Sequence, residues 1–340
     1  MEFQTISKFP TLSSEYHYFV FNNDKIWAFS RNYVAQPTYH WGHRVSFTGG
    51  YTTYFDTKTS EWDSNGKVDF KEQASEENLE EFLFTFKNQI FMLLYSHFGG
   101  IQFLSLLKFD EESRNFARFA HVESDQKSQR VSQSGAGTKH TAILVDGETD
   151  EGKYLITHVD EIIQIHRLKI SIDKQQVHVE YVGEISRDSV NGPPMQPTSA
   201  VVIDGSIYVT GAVHGCGLMW LPNRIFRVEI NGGGFTLLEV SGDQSPSFGF
   251  TGSRFTALNP NTKNWTYFTG LTRSGMTGST FNGEIWTLTN LNTGNPKWVK
   301  ADLVAPDPEF DDPLIVVDHE VANLYIGSAK IGVAKAKLNF

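Results

Sequence analysis

The stretch "GGYTTYFDTKTSEW", residues 49–62, has the composition of a β-hairpin. Gly49 and Gly50 suit a strand end or a bulge, because glycine adopts backbone angles that are closed to other residues. The aromatic and β-branched residues 51–55 fit a pleated strand. "DTKTSE" fits a turn, since Asp and Thr side chains bond their own backbone, and Trp62 then begins the returning strand. One hairpin is only marginally stable by itself, so the pattern predicts that the unit repeats.

The spacing from the turn residue to the aromatic anchor recurs along the chain. A polar turn residue is followed six positions later by a large apolar residue in five places, the last of them a weaker copy: Asp56 and Trp62, Asp110 and Phe116, Glu229 and Phe235, Asn292 and Trp298, Ser171 and Val177. The anchors at 62, 116, 177, 235 and 298 are 54, 61, 58 and 63 residues apart. A repeat near this length, punctuated by glycine and aromatic residues, is typical of propeller blades.

A second pattern lies upstream of each anchor. "AVVIDGSIYVTG", residues 200–211, predicts a strand, a tight turn and a second strand. Related segments bring the number of units to six. Their second strands are marked by aromatic residues at spacings of 64, 63, 54, 59 and 58: Trp27, Phe91, Tyr154, Tyr208, Tyr267 and Tyr325.

The two ends of the chain complement each other in this scheme. After Tyr325 the sequence is long enough for a third strand but not for a fourth, and residues 1–10, with Phe3 at the anchor position, supply the missing one. Pairing the first strand with the last would leave no open sheet edge. The sequence thus predicts an all-β fold, one six-bladed β-propeller of four-stranded antiparallel blades over residues 1–340. The predicted blades are residues 11–70, 80–122, 138–187, 197–243, 247–304, and 312–340 with 1–10.

The order Gly-Gly, aromatic-Asp, polar turn, Trp resembles the kelch repeat, and the whole chain resembles a six-bladed kelch-type propeller. Both glycines of the pair occur only in the first two units, at residues 49–50 and 99–100; units four to six keep one Gly and unit three keeps none. The resemblance implies a scaffold that binds another protein through loops on one face. It supplies no catalytic residues here: the Cys–Tyr cross-link of galactose-oxidase-type enzymes would have to use Cys216, which lies in a Gly-rich loop.

Composition narrows the classes of function. The 39 acidic and 29 basic residues give a net charge of −10, which disfavours nucleic acid as a partner because phosphate binding depends on Lys and Arg. The single Cys216 excludes an intramolecular disulfide framework, and no signal-peptide or membrane-length apolar run is present. No metal-binding motif such as HExxH occurs, so we expect no cofactor. The sequence predicts a cytoplasmic or nuclear protein, monomeric by itself, that binds no membrane.

Candidate binding residues follow the second strand of most units. In a propeller these loops gather at one end of the central channel, which would place basic and aromatic side chains together on an acidic protein. The predicted site comprises Tyr39, His40, Trp41, His43, Arg44, His97, His158, His214, Trp220 and Arg273.

Three interpretations of this set remain open. In the first, the residues do no more than cap strand ends and hold water at the channel mouth. They could instead form the binding surface of a protein-interaction module for a partner with an acidic or anionic patch, which is the function predicted here. The alternative is a small-molecule enzyme or lectin that takes an anionic or sugar ligand at the same end, with or without a metal bound by His. A pocket of converging polar groups would indicate the enzyme, and a broad aromatic surface the interaction module.

Overall fold

A computed structural model gives the fold. It describes residues 4–7, 17–37, 43–65, 68–70, 79–96, 102–124, 141–148, 152–159, 162–186, 195–214, 218–232, 234–241, 246, 256–259, 261–268, 271–273, 279–281, 284–304, 314–318, 323–328 and 332–337. Over these residues the regular structure is β-strand, apart from a 3₁₀ turn at Leu291–Thr293. No helix of membrane-spanning length and hydrophobicity occurs among them.

The strands form antiparallel units that we number 1 to 6 along the chain. Unit 1 contains β2 (His17–Asn22), β3 (Lys25–Pro37), β4 (His43–Asp56), β5 (Glu61–Trp62) and β6 (Val68–Phe70). Unit 2 contains β7 (Leu79–Phe86), β8 (Gln89–Ser96), β9 (Gln102–Asp110) and β10 (Asn115–Ser124); unit 3 contains β11 (Thr141–Asp146), β12 (Lys153–Val159), β13 (Ile162–Ser171) and β14 (Gln176–Ser186).

The second half of the chain follows the same plan. Unit 4 contains β15 (Met195–Ile203), β16 (Ser206–His214), β17 (Leu218–Glu229) and β18 (Phe235–Glu239). Unit 5 contains β19 (Thr256–Leu258), β20 (Trp265–Phe268), β23 (Glu284–Thr289) and β24 (Lys297–Val304), with the separate hairpin β21 (Leu271–Arg273) and β22 (Ser279–Phe281) between β20 and β23. Unit 6 contains β25 (Leu314–Asp318), β26 (Asn323–Ser328), β27 (Gly332–Lys337) and, at its edge, β1 (Gln4–Ser7).

The hairpins between third and fourth strands explain the recurring six-residue spacing. Asp56 Oδ1 accepts hydrogen bonds from the backbone N–H groups of Lys58 and Thr59, at 2.8 and 3.0 Å, and Asp110 accepts the equivalent pair at the same distances. The N–H groups of Ser113 and Glu112 lower the pKa of the Asp110 carboxyl. Each Asp closes its own turn and leaves the anchor directly opposite a strand residue, as in the pairs Phe55 with Trp62 and Phe109 with Phe116.

The predicted markers of the second strands are confirmed. All six lie in the second strand of their unit, and all are buried: Trp27, Phe91, Tyr154, Tyr208, Tyr267 and Tyr325. In units 2, 3 and 4 the second strands are buried in unbroken runs, residues 90–95, 153–158 and 206–210, so they are covered on both faces.

The anchors of the fourth strands divide into two groups. Phe116 and Trp298 are each 3% exposed, and Val177 is also buried. Trp62 and Phe235 are only half-buried and pack at the margins of their clusters. The anchors are therefore buried at Phe116, Val177 and Trp298 and only partly buried at Trp62 and Phe235.

The apolar faces of neighbouring units pack together. Separate clusters join unit 6 to unit 1, unit 1 to unit 2, unit 2 to unit 3, unit 3 to unit 4, and unit 4 to unit 5. The cluster between units 1 and 2 illustrates the arrangement: Phe29 of β3 stacks edge-on against Phe109 of β9, with ring centres 5.0 Å apart. The core thus consists of successive layers between sheets, with each unit buried by its neighbours.

One connection between units was not expected. Val122–Ser124 of β10 pairs in parallel with Val177–Val179 of β14, which joins units 2 and 3 into one eight-stranded sheet. Both strands are the outermost of their units, and their edge N–H and C=O groups are left without an antiparallel partner on that side. Pairing satisfies these groups at an edge that would otherwise be open.

The two ends of the chain meet in unit 6. Gln4 and Thr5 of β1 lie opposite Lys335 and Ala334 of β27, in antiparallel register. Phe3, expected at the anchor position of this strand, lies outside the described residues. The N-terminal strand therefore completes the sheet of the last unit.

Candidate functional site

First hairpins, which lie between the first and second strands, contact each other between units 1 and 2 and between units 3 and 4. Asn22 Nδ2 at the end of β2 donates to the carbonyl of Asn88 in the β7–β8 turn, at 3.2 Å. The Glu148 carboxylate, after β11, accepts hydrogen bonds from the N–H groups of Asp204 and Gly205 in the β15–β16 turn, the latter at 3.0 Å. We call this side of the molecule the first-hairpin end.

A lysine extends these contacts to unit 5. Lys263 Nζ, in the β19–β20 turn, lies 3.7 Å from Glu148 and 3.8 Å from Asp204. Units 3, 4 and 5 thus have the same orientation, as do units 1 and 2. The parallel pairing of β10 with β14 gives units 2 and 3 the same orientation as well. The connections between second and third strands in units 1 to 5 consequently lie on the opposite side, which we call the second-hairpin end.

The structure describes the predicted site residues to different extents. The backbones of five of them lie at the second hairpins of units 1, 4 and 5: His43, Arg44, His214, Trp220 and Arg273. Tyr39, His40, Trp41 and His97 lie outside the described residues. The structure gives no side-chain positions for these nine residues, so their convergence remains a prediction.

His158 is the one predicted site residue whose side chain is described. It lies one residue before the end of β12, opposite Thr141 and Ile163, and is 8% exposed. It shares a strand face with Tyr154 and Ile156, which belong to the cluster between units 3 and 4. In this conformation little of its ring is open to a ligand.

The β3–β4 hairpin changes the shape of the second-hairpin end. β2 pairs with β3 only from Lys25 to Ser30, whereas β3 continues to Pro37, opposite His43 of β4. Seven residues of β3 therefore extend past the described part of β2, which corresponds to roughly 20 Å at the usual rise of a strand. The β3–β4 hairpin thus reaches further toward the second-hairpin end than the described part of β2 does.

A buried group of hydroxyls joins units 4 and 5, and no sequence motif announced it. The hydroxyls of Thr210 and Tyr267 lie 3.0 Å apart, and those of Ser199 and Thr256 lie 3.1 Å apart. Thr210 also donates to the Ser199 carbonyl. Burial raises the pKa of the Tyr267 phenol well above its usual value, which keeps its proton in place. Satisfied networks of this kind hold two surfaces in one arrangement.

Two further polar arrangements are buried, one within unit 3 and one between units 1 and 2. Thr157 and His166 lie within hydrogen-bond distance at 3.3 Å, with His166 only 1% exposed. Arg114 and Asp63 form an ion pair at 2.6 Å between units 2 and 1. Among the residues that the structure describes, no three His, Cys, Asp or Glu side chains lie close enough together to hold a metal ion.

Comparison with known proteins gave matches only among solved structures. No protein-family model matches the chain, and no curated protein matches it. A GH43 beta-1,3-galactosidase solved with galactodeoxynojirimycin is 12% identical, with a TM-score of 0.45, over 84% of this chain and 94% of that one.

Two other solved structures match at a similar level. The Dos1 propeller is 11% identical, with a TM-score of 0.43, over 94% of this chain and 67% of that one. An exo-beta-1,3-galactanase from Clostridium thermocellum is 10% identical, with a TM-score of 0.41, over 97% and 84% of the two chains. None of these similarities is strong enough to transfer an activity to this chain.

Proposed function

We propose that the six units are the blades of one β-propeller with degenerate kelch-type repeats, closed into a ring by the N-terminal strand. The packing order supports this, because each apolar cluster joins consecutive units and one of them joins unit 6 to unit 1. First strands of neighbouring units also lie against each other, β2 with β7 and β25, β11 with β15, and β19 with β25. The last of these contacts would complete the circle between units 5 and 6.

The second-hairpin end of this propeller is proposed to bind a small anionic or sugar ligand. The observation that supports the proposal is the β3–β4 hairpin, which extends past the described part of β2 at the end where the backbones of His43, His214 and Trp220 lie. A hairpin that projects on one side of that end would make it concave. Small-ligand sites are concave and combine aromatic walls with a few convergent polar groups. His43, Arg44, His214 and Trp220 supply those residue types on two of the hairpins.

The second candidate is the protein-interaction module. It is favoured by Trp41 and Trp220, which belong to the loop or hairpin segments of this end. Tryptophan supplies large, rigid apolar area and is enriched among the residues that dominate binding energy. Basic side chains on a chain of net charge −10 would also attract an acidic partner in a salt-dependent way.

One experiment tests both candidates. The wild type and a Trp41→Ala, His214→Ala double variant are applied to immobilised acidic and neutral oligosaccharides, with released reducing sugar measured in parallel, and to pull-down from native extract. Loss of oligosaccharide binding in a double variant of unchanged melting temperature supports the small-ligand site. Binding that is equal in both proteins contradicts the placement of the site, and capture of protein alone, lost in the variant, supports the second candidate.

A further inference from the structure

A cleft of about 730 Å³ lies at the first-hairpin end, opposite the proposed ligand site. Turns of three consecutive units line it: Lys87 comes from the β7–β8 turn, Glu148 from the residues after β11, and Gly205 from the β15–β16 turn. The outer part of unit 3 supplies the rest through β13 and β14. The volume falls within the range of sites for small ligands, roughly 300–1,000 Å³.

We propose that this cleft is a second binding site, which takes a small polyphosphorylated anion. Its described lining contains four cationic side chains: Lys87, Arg167, Lys169 and Lys174. Two carboxylates, Glu123 and Glu148, line it as well. The cleft is thus cationic on a protein whose overall charge is −10, and such a concentration of one sign selects an anion.

One of the two lining carboxylates is already engaged. Glu148 accepts hydrogen bonds from the N–H groups of Asp204 and Gly205 and lies 3.7 Å from Lys263. Its charge is directed into the contact between turns, which leaves Glu123 as the other acidic lining residue. An entering anion would therefore meet mainly the cations.

Two of the four cations, Arg167 and Lys169, are held in place by contacts within unit 3. The guanidinium of Arg167 lies 5.5 Å from the centre of the Tyr154 ring, which orients its plane. Glu180 on β14 lies 2.9 Å from Lys169 Nζ and 3.8 Å from Arg167. A carboxylate that holds an Arg and a Lys side by side keeps them ready for an anion with more charge than its own. Arg presents paired donors that match phosphate oxygens, and Lys adds point charge, so phosphate groups fit this set.

Glu180 gives the proposal its sharpest test, since it competes with the ligand for Arg167 and Lys169. Tripolyphosphate is titrated into the full-length protein by calorimetry at two salt concentrations. We expect wild-type binding that weakens at higher salt. An Arg167→Gln, Lys169→Gln double variant should lose at least tenfold in affinity, and Glu180→Gln should gain severalfold. Lys169→Gln alone serves if the double variant does not fold.

The matched control is Lys300→Gln. Like Lys169, Lys300 is about half exposed and paired with a glutamate, Glu284, but it lies on β24 outside the cleft. The affinity of the Lys300→Gln variant for tripolyphosphate should equal that of the wild type. The Trp41→Ala, His214→Ala variant should also keep the site, which separates this proposal from the one for the second-hairpin end.

Three results would overturn the proposal. The first is no binding of tripolyphosphate at millimolar concentration. The second is an affinity that stays within twofold of wild type in both the double variant and Glu180→Gln. The third is displacement by a hexaglutamate peptide at lower concentration than tripolyphosphate itself requires, which would make the cleft a site for acidic peptides.

Discussion

The carboxylate of Asp63 and the guanidinium of Arg114 meet where almost no water reaches them. The side chain of Asp63 is 1% exposed and that of Arg114 is 9% exposed. The guanidinium also lies 5.5 Å from the ring centres of Trp27 and Tyr54, and Asp63 accepts a further hydrogen bond from the N–H of Asn65. The two opposite charges neutralise each other, and the pair links unit 1 to unit 2.

Removing one member of this pair should strongly destabilise the folded protein. Asp63→Ala leaves the cation of Arg114 buried among rings, so we expect a loss of about 3–5 kcal/mol in the free energy of unfolding. Lys300→Met breaks the exposed pair with Glu284 and should cost no more than about 1 kcal/mol. Urea denaturation of the two variants checks the difference. Equal losses would show that the Asp63–Arg114 pair does not stabilise the joint.

Lys153 is a buried cation with a weaker partner. Its Nζ contacts the carboxylate of Asp146, but that side chain is 79% exposed and therefore strongly screened by water. The ammonium lies 5.3 Å from the centre of the Phe84 ring. Burial accordingly lowers the pKa of Lys153 from its usual 10.5 to about 8.

The pH dependence of stability follows from this pKa. Between pH 8 and 10.5 the unfolded chain keeps a proton on Lys153 that the folded protein has lost, so stability due to this group rises with pH across that window. Below pH 8 both states are charged and the full cost of burial is present. Lys153→Met removes the cost, which is up to about 3 kcal/mol at neutral pH.

The free energies of unfolding of wild type and Lys153→Met, measured from pH 7 to 10, test this. The variant should be the more stable at pH 7, and its advantage should shrink as the pH rises. Lys58→Met, which removes an exposed lysine, controls for the loss of one positive charge. An advantage that grows with pH, or no difference at any pH, would contradict the assignment.

At the scale of the element, the hairpin between third and fourth strands is the repeating part. Its anchors differ in burial, with Phe116 and Trp298 each 3% exposed and Trp62 and Phe235 half-buried. Replacement of Phe116 or Trp298 by Ala should cost about 3–5 kcal/mol, because each leaves a cavity between two units. The same change at Trp62 or Phe235 should cost less, since the space can be reached by water.

Denaturant midpoints of the four alanine variants measure this order. Phe116→Ala and Trp298→Ala should form the less stable pair. If Trp62→Ala or Phe235→Ala is the most destabilising, the anchors do not act through burial between units.

The sequence could predict these hairpins because they are local. The Asp accepts hydrogen bonds from N–H groups two and three positions later, and the aromatic residue follows six positions after the Asp, so both signals lie within one short hairpin. The second-strand markers could be predicted equally well, since Tyr208 and Trp27 each lie a few residues after a tight turn. The parallel pairing of β10 with β14 could not be predicted from the sequence, because Val122 and Val177 are brought together only by the packing of two units.

Polar contacts between units could not be predicted from the sequence for the same reason. Asp63 and Arg114 carry no motif, and neither do Glu148 and Lys263, which meet across the first-hairpin end. His158 shows the reverse case: it was predicted in the connection after a second strand, but it lies within β12 and its side chain is buried. Strand position can be inferred from pattern, whereas side-chain exposure depends on the neighbouring sheet.

At the scale of the molecule, each unit depends on its neighbours for burial. Ile26 and Phe55 of unit 1 are fully buried against Tyr325 and Val333 of unit 6, although the two groups are almost a full chain length apart. In the proposed ring no terminal unit is left to cap, which would distinguish it from an open repeat array. Its stability should then depend on the strand that joins the two ends.

Deletion of residues 1–8 tests that dependence. The deletion removes β1 and leaves the edge of β27, from Val333 to Lys335, without its partner. An unpaired edge templates pairing with other chains, so we expect the truncated protein to melt at lower temperature and to aggregate. A synthetic peptide of residues 1–8, added in excess, should restore part of the melting temperature because it can occupy the same edge. If the truncated protein has an unchanged melting temperature and solubility, β1 only adds a strand to the last unit and the proposed closure of the ring by β1 is wrong.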